Sequence, residues 1–511
     1  MENTTDTPVI LVDYMTINST LHIPAQYDVT IADAGYIVTN SLILITMQTG
    51  FALVNAGTVS VRNSVNMMMK NTVDTFIGGF AFWLVGFGLA YGRSNYSNWL
   101  FGWGDFFVDV AKTDPLMGGV MTAFMYEISF SSSSTTIASG GMAERFNFRA
   151  YCIYAFINSI FYAIAAGWVW RESGFLAVFG AVDIAGAGPV HMLGGVCSFA
   201  AACFLGPRIG RYDRGSHHVP MGNALIALLG LFILWWAWLA FNTASSYGLS
   251  RGRWGYTIRS AVMTMLGSMG GGVTACVYSL IEHKGKAQPF QIMNGVLASL
   301  VSVTGGCYMF ESWSAVFTGA IGSLLCMLSM KLMDKYKIDD PLYACTVHGV
   351  GGAWGLISIG LFAFDPVPQT ITRGRSGLFL GGGYSLLISQ LAEMFTILGW
   401  GLGSTWALLW ILNKFVRVRL TSEEEVLGAD YSEHDVDHAR NALEELKPLW
   451  NREVELSDGL KYKLSKAMCI THDMTTGMYK GNINAAFNDG TAVNLDMRFK
   501  NDQSQTNSGV Y

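Results

Sequence analysis

The chain alternates long apolar stretches with short polar ones, and the stretches are too long for strands. Runs near the roughly 20 residues needed to cross a hydrocarbon core fall at about 33–56, 72–92, 118–142, 150–170, 184–206, 222–244, 256–281, 290–307, 313–333, 345–364 and 384–412. Helices and closed barrels alone satisfy every backbone group in lipid. The pattern therefore predicts an all-α polytopic membrane protein with eleven transmembrane helices. Segment 1–32 precedes the membrane region 33–413, and residues 414–511 form a polar tail. The tail shows helical charge patterning through about 456, and its last 50 residues have the composition of a disordered segment.

Composition agrees with this reading. The chain is 51% hydrophobic and 14% charged, with mean hydropathy +0.34, against about 25% charge in soluble domains. A net charge of −5 leaves no basic footprint for nucleic acid. The eight cysteines (152, 197, 203, 276, 307, 326, 345, 469) show no metal-ligand spacing and read as small buried hydrophobes. Residues 1–31 lack Lys and Arg, so they do not form a signal peptide. Odd-numbered connections carry Arg62, Lys70, Arg145, Arg149, Arg208, Arg211, Arg214, Lys284, Lys286, Lys331, Lys335 and Lys337. The other side carries Arg93, Lys112, Arg171, Arg251, Arg253, Arg373 and Arg375. The excess places the odd loops and the C-terminus in the cytoplasm and the N-terminus outside. The sequons at Asn3, Asn18 and Asn95, candidate glycosylation sites, fall on the outer side.

Chemistry enters through a repeated motif. Asp183 and His191 are followed by Gly194-Gly195, and Asp340 and His348 by Gly351-Gly352. Each Asp-to-His interval is eight residues, about 12 Å of helix, which sets both histidines near the middle of a ~30 Å core. Ionisable residues there are functional candidates by default. Spans one to five and six to ten then form two inverted repeats, and span eleven is an addition. Two neutral imidazoles side by side offer donors and acceptors to a small solute; the other reading is two unrelated packing histidines. Two histidines alone do not hold a divalent metal, so neither metal nor cofactor is expected. Asp340 before Pro341 suits an N-cap followed by the first helical position. Asp183 is either a cap or a fixed negative charge favouring a cation.

Phe130 lies in span three, Trp170 ends span four, and Trp238 and Phe241 lie in span six. A ring face attracts a cation by about 0.5–2 kcal/mol. Trp170 also fits an interfacial belt, and the other three fit packing. No nucleophile–base pair or phosphate loop suggests an enzyme.

The strings GGMAERFNF (140–148), VDIAGAGPVHMLGG (182–195), AWLAFNTASS (237–246), DDPLYACTVHGVGG (339–352) and SEEEVLGADYSEH (422–434) resemble the ammonium transporter (Amt/Mep/Rh) family, its Amt branch in particular. The sequons and the absence of a bacterial-type leader suggest a eukaryotic multi-pass plasma membrane protein, and the resemblance implies a homotrimer with one pore per subunit. It implies ammonium and methylammonium as substrates and ammonia as the conducted species, with or without a separately relayed proton. Trp170, Phe130 and Ser245 would recruit ammonium above Asp183. Phe130 and Phe241 would form a phenyl gate, and His191 and His348 the pore pair. Ser432 resembles a phosphorylation switch of plant relatives. One extra residue separates Trp170 from Asp183, Tyr343 stands where many members are acidic, and Asp435 replaces a glycine. A Rhesus-type neutral ammonia or carbon dioxide channel and an ammonium sensor with little flux are the alternative readings.

Overall fold

The computed structural model describes residues 27–213, 221–366 and 371–438. Asn3, Asn18, Cys469 and the tail beyond 438 lie outside the described residues. Eleven long helices follow one another: α1 (Ile31–Thr58), α2 (Val61–Tyr91), α3 (Met117–Ala138), α4 (Phe148–Trp170), α5 (Ala187–Leu205), α6 (Ala224–Ala244), α7 (Trp254–Glu282), α8 (Pro289–Thr304), α9 (Ser312–Lys335), α10 (Cys345–Phe362) and α11 (Ser385–Phe415). Among the described residues there is no β-strand, only two isolated bridges. By length and composition, nine helices among them are able to cross a membrane. The exceptions are α3, whose middle is the hydroxyl-rich run 131–136, and α8, with 16 residues.

Local chemistry sets the helix starts. Asn147 accepts from Arg149 N (3.1 Å) and Ala150 N (3.2 Å) to open α4. Asn223 accepts from Ile226 N (3.0 Å) to open α6. Such caps satisfy amides that the first helical turn leaves free. Helix α2 begins at Val61, well before the apolar run at 72, so Arg62 and Lys70 lie inside a helix rather than in a connection. Its polar positions are matched individually: Lys70 Nζ donates to Phe146 O (3.0 Å), and Asp74 accepts from Tyr151 Oη (2.6 Å) and Thr136 Oγ1 (2.9 Å).

Small residues let the helices approach. Along α1 and α6, Gly50 meets Leu234, Val54 meets Gly230 and Gly57 meets Ala227. The numbers rise on one helix as they fall on the other, so the pair is antiparallel. Along α5 and α10 the same inversion holds: Ala187 faces Gly355, Gly195 faces Gly349, and Ser198 Oγ donates to Asp340 Oδ2 (3.0 Å). Lipid provides no hydrophobic drive between helices, and close contact of this kind holds such bundles together.

After α11 the chain turns into α12 (Ser422–Leu427) and α13 (Ala429–His434). Asp430 accepts from Val65 N (3.0 Å) and Asn66 N (2.7 Å) at the start of α2. Glu433 accepts from Phe148 N (2.6 Å) and Asn66 Nδ2 (2.8 Å). Thus α13 is fixed to the adjoining ends of α2 and α4. Asp435 takes φ 58° at the end of α13, a left-handed conformation that glycine adopts freely and Asp tolerates. Nearby, the Arg208 guanidinium bonds Asp339 twice (2.8 Å each) and Glu144 (3.1 Å), tying three connections together.

Candidate functional site

Helices α5 and α10 begin alike. Each opens with a wide π turn, Ala187–Met192 and Cys345–Val350. Such turns are rare and concentrate at functional sites. His191 and His348 lie in these two turns. Their rings stack, with centroids 5.4 Å apart and planes at 21°. Among the described residues, the fully buried His191 has no partner at either ring nitrogen, and His348, 4% exposed, has none at Nδ1. The glycine pair after each histidine has a steric reason. A Cβ on Gly195 would run into Gly349, and one on Gly352 would lie 2.9 Å from Met192 Cβ.

Both aspartates cap, although not as their spacing suggested. Asp183 precedes α5 by a non-helical turn whose Gly186 has φ 89°. Its Oδ1 accepts from Gly186 N (2.7 Å) and Ala187 N (3.0 Å), and its Oδ2 from Gly188 N (2.7 Å). Asp340 accepts from Cys345 N (2.8 Å) and Leu342 N (3.2 Å). Pro341 lies in a turn rather than at the first position of α10, because the cap reaches across a short loop. About half of each Asp-to-His interval is therefore not helix, and a helical rise does not describe it.

Aromatic rings continue the row. Phe130 and Phe241 pack at 4.3 Å, Phe130 and Trp170 at 5.7 Å, and Phe241 and His191 at 5.4 Å. Trp238 lies parallel to both imidazoles, 4.8 Å from His191 and 6.5 Å from His348. Its Nε1 donates to Thr304 Oγ1 (2.8 Å), which locks the indole. An expected packing residue thus flanks the pair itself. Trp170 Nε1 donates to the Asp183 carbonyl (2.8 Å). Ser245 Oγ donates to Phe241 O (2.9 Å) and bonds Tyr126 Oη (2.8 Å).

Sequence reading passed over several residues here. Tyr126 packs 4.7 Å from Phe130. Glu127 is buried in α3 and bonded to Tyr247 Oη. Glu393 is buried in α11 beside Asp183. The signal was available: an acid within a span is itself unusual. Tyr343 Oη donates to Asp334 Oδ2 (2.7 Å), so its phenol engages a neighbouring acid. Asn95 is exposed in the α2–α3 connection. Ser432 Oγ donates to Gly428 O (3.0 Å) within α13. Cys203 and Cys276 are exposed, unlike the buried Cys197, Cys307 and Cys326, because they lie on outer helix faces.

These features define a polytopic membrane protein whose antiparallel halves enclose a row of rings and imidazoles. A profile of the Ammonium Transporter Family matches residues 35–439, and the chain belongs to that family. Putative ammonium transporter 3 of Caenorhabditis elegans is 36% identical over 432 residues, covering 82% of this chain and 62% of the relative. Putative ammonium transporter 2 of the same organism is 36% identical over 418 residues, covering 79% and 81%. The chain thus spans less than two thirds of the first relative's length. A solved sensor Amt protein superposes with TM-score 0.72 at 29% identity, covering 79% of this chain and 98% of that one.

Proposed function

We propose that this chain carries ammonium across a plasma membrane between its two halves. Trp170, Phe130 and Ser245 recruit the cation above Asp183. It passes the Phe130–Phe241 ring pair, gives up its proton to vestibule water or to a separate relay, and continues as neutral ammonia along His191 and His348. The observation that carries this reading is the stacked, buried imidazole pair with unengaged ring nitrogens. A neutral imidazole donates at one nitrogen and accepts at the other, which matches ammonia. Ring faces replace part of the cation's hydration at the entrance, by about 0.5–2 kcal/mol each.

An unpaired ion in a low-dielectric interior costs tens of kcal/mol. Burial lowers the pKa of amines by up to about 3–5 units, so losing a proton is the cheaper route. Potassium has no proton to lose and is rejected. The working form is a homotrimer with an outer N-terminus, a cytoplasmic tail and eleven spans.

His191→Ala and His348→Ala are expected to reduce methylammonium uptake at least about ten-fold in yeast lacking its own transporters. Unchanged uptake in both would remove the imidazoles from the mechanism. A second reading, an ammonium sensor, is favoured by the similarity to a sensor Amt protein. Flux in liposomes separates the two. Current on ammonium addition, carried by a separately relayed proton, separates the transporter from a neutral gas channel.

A further inference from the structure

Glu393 is fully buried, and among the described residues neither of its carboxyl oxygens has a hydrogen-bond partner. Among the described residues, neither Glu393 nor Asp183 has an ion-pair partner. Yet Glu393 is held in place. One turn earlier on α11, Gln390 accepts from Val182 N and donates to Val182 O, both at 2.8 Å. That clasp fixes α11 against the loop carrying Asp183. The two carboxyl groups converge over Gly188, where an added Cβ would meet Glu393 Oε1 and lie 3.4 Å from Asp183 Oδ2. The two groups therefore face each other across that one position. The other titratable groups around Asp183 are the Tyr162 phenol of α4 and the Cys307 thiol after α8, neither a cation.

Three backbone amides converge on Asp183 and favour its anion. A second carboxylate against it, unsolvated and unpaired, would be strongly unfavourable. Neighbouring carboxyls of this kind share one proton. We propose that Glu393 is held as the neutral acid and donates a hydrogen bond to the Asp183 carboxylate, acting as a positioning residue for the loop that anchors Trp170 and starts α5. The pair carries one negative charge. The Asp183 carbonyl holds the Trp170 indole, and its carboxylate fixes the turn that leads to His191. Loosening Asp183 therefore disturbs the recruiting ring and the first imidazole together. The role in transport rests on the ammonium reading above; the shared proton does not.

The test uses the full-length protein in lipid vesicles and compares wild type with Glu393→Gln and Glu393→Leu. Infrared difference spectra of wild type against Glu393→Gln are expected to show a carboxylic acid C=O band across pH 5–8. Gln keeps a donor toward Asp183 and should retain at least about half of methylammonium uptake. Leu removes it; a hydrogen bond to a charged group is worth roughly one to two decades, so uptake should fall about ten-fold or more. Absence of the acid band from wild type overturns the proposal, as does wild-type uptake in Glu393→Leu. Should that variant not fold, the band and Glu393→Gln still decide. Should wild type carry no methylammonium, the transport reading fails while the band still reports on the pair.

Discussion

Substituting Gly195 by alanine tests how closely the two halves must approach. The added Cβ would lie 2.6 Å from Gly349 Cα and 2.8 Å from His348 C, whereas ordinary contacts run 3.4–4 Å. Backbone cannot rotate aside as a flexible side chain does, so α5 and α10 must separate by roughly 1 Å. Overpacking of this kind costs about 1–3 kcal/mol. His348 is the residue pushed, so the strain acts on the imidazole stack. Misplacement of a working group by about 1 Å can cost roughly 100-fold in rate. Two measurements follow: the thermal unfolding midpoint in detergent and methylammonium uptake at matched surface expression. Gly195→Ala should lower both. Gly399→Ala and Gly403→Ala on α11 meet nothing within 4 Å and should leave both unchanged or gain slightly from helix propensity. A Gly195→Ala protein with wild-type midpoint and uptake would refute the claim that this crossing sets the imidazole spacing.

Acidification should loosen the tail. Burial, more than any other influence, pushes His434 below its ordinary value, with Lys70 assisting while Glu433 and Asp430 pull the other way. A depressed histidine favours docking above its ordinary value of about 6.5, and that contribution is lost as pH falls towards the depressed one. Spin labels at the exposed positions 149 and 431 should move apart between pH 7.5 and 5, less so in His434→Gln; a distance constant with pH in the native sequence would contradict this. Arg208→Ala should destabilise the protein by about 3 kcal/mol, at the low end for a broken buried pair because Arg211 remains 3.6 Å from Asp339 and Ser60 N still donates to Glu144. Although burial opposes it, Arg208 holds Asp339 well below the usual carboxylate range, so the pairing survives at neutral pH and is lost only in strong acid; thermal melts of the variant at pH 7 read the difference.

Much of this architecture was legible because lipid imposes a simple rule on long apolar runs. The early start of α2 escaped that rule, since Arg62 and Lys70 precede the run while their partners, Val426 O and Phe146 O, lie far away in sequence. Among the site residues, the matched histidines stood out by repetition. Glu127 and Glu393 did not, because each occurs once and its meaning depends on a neighbour from another helix. Trp238 was readable as an apolar position, but only the fold sets its plane parallel to the imidazoles. The Asp-to-His interval could not be read as continuous helix from sequence, because a cap reaching across a loop has the same number of residues as two helical turns.

The opposed running of α5 against α10 has a consequence for traffic. On the proposed route the twin segments run in opposite senses, so their backbone course alone imposes no preferred sense of passage. Asymmetry enters only through parts without a counterpart, such as the Trp170 ring and the clasp made by α11. Those can change how fast a solute enters from one side, but the balance of gradients still decides where it ends up.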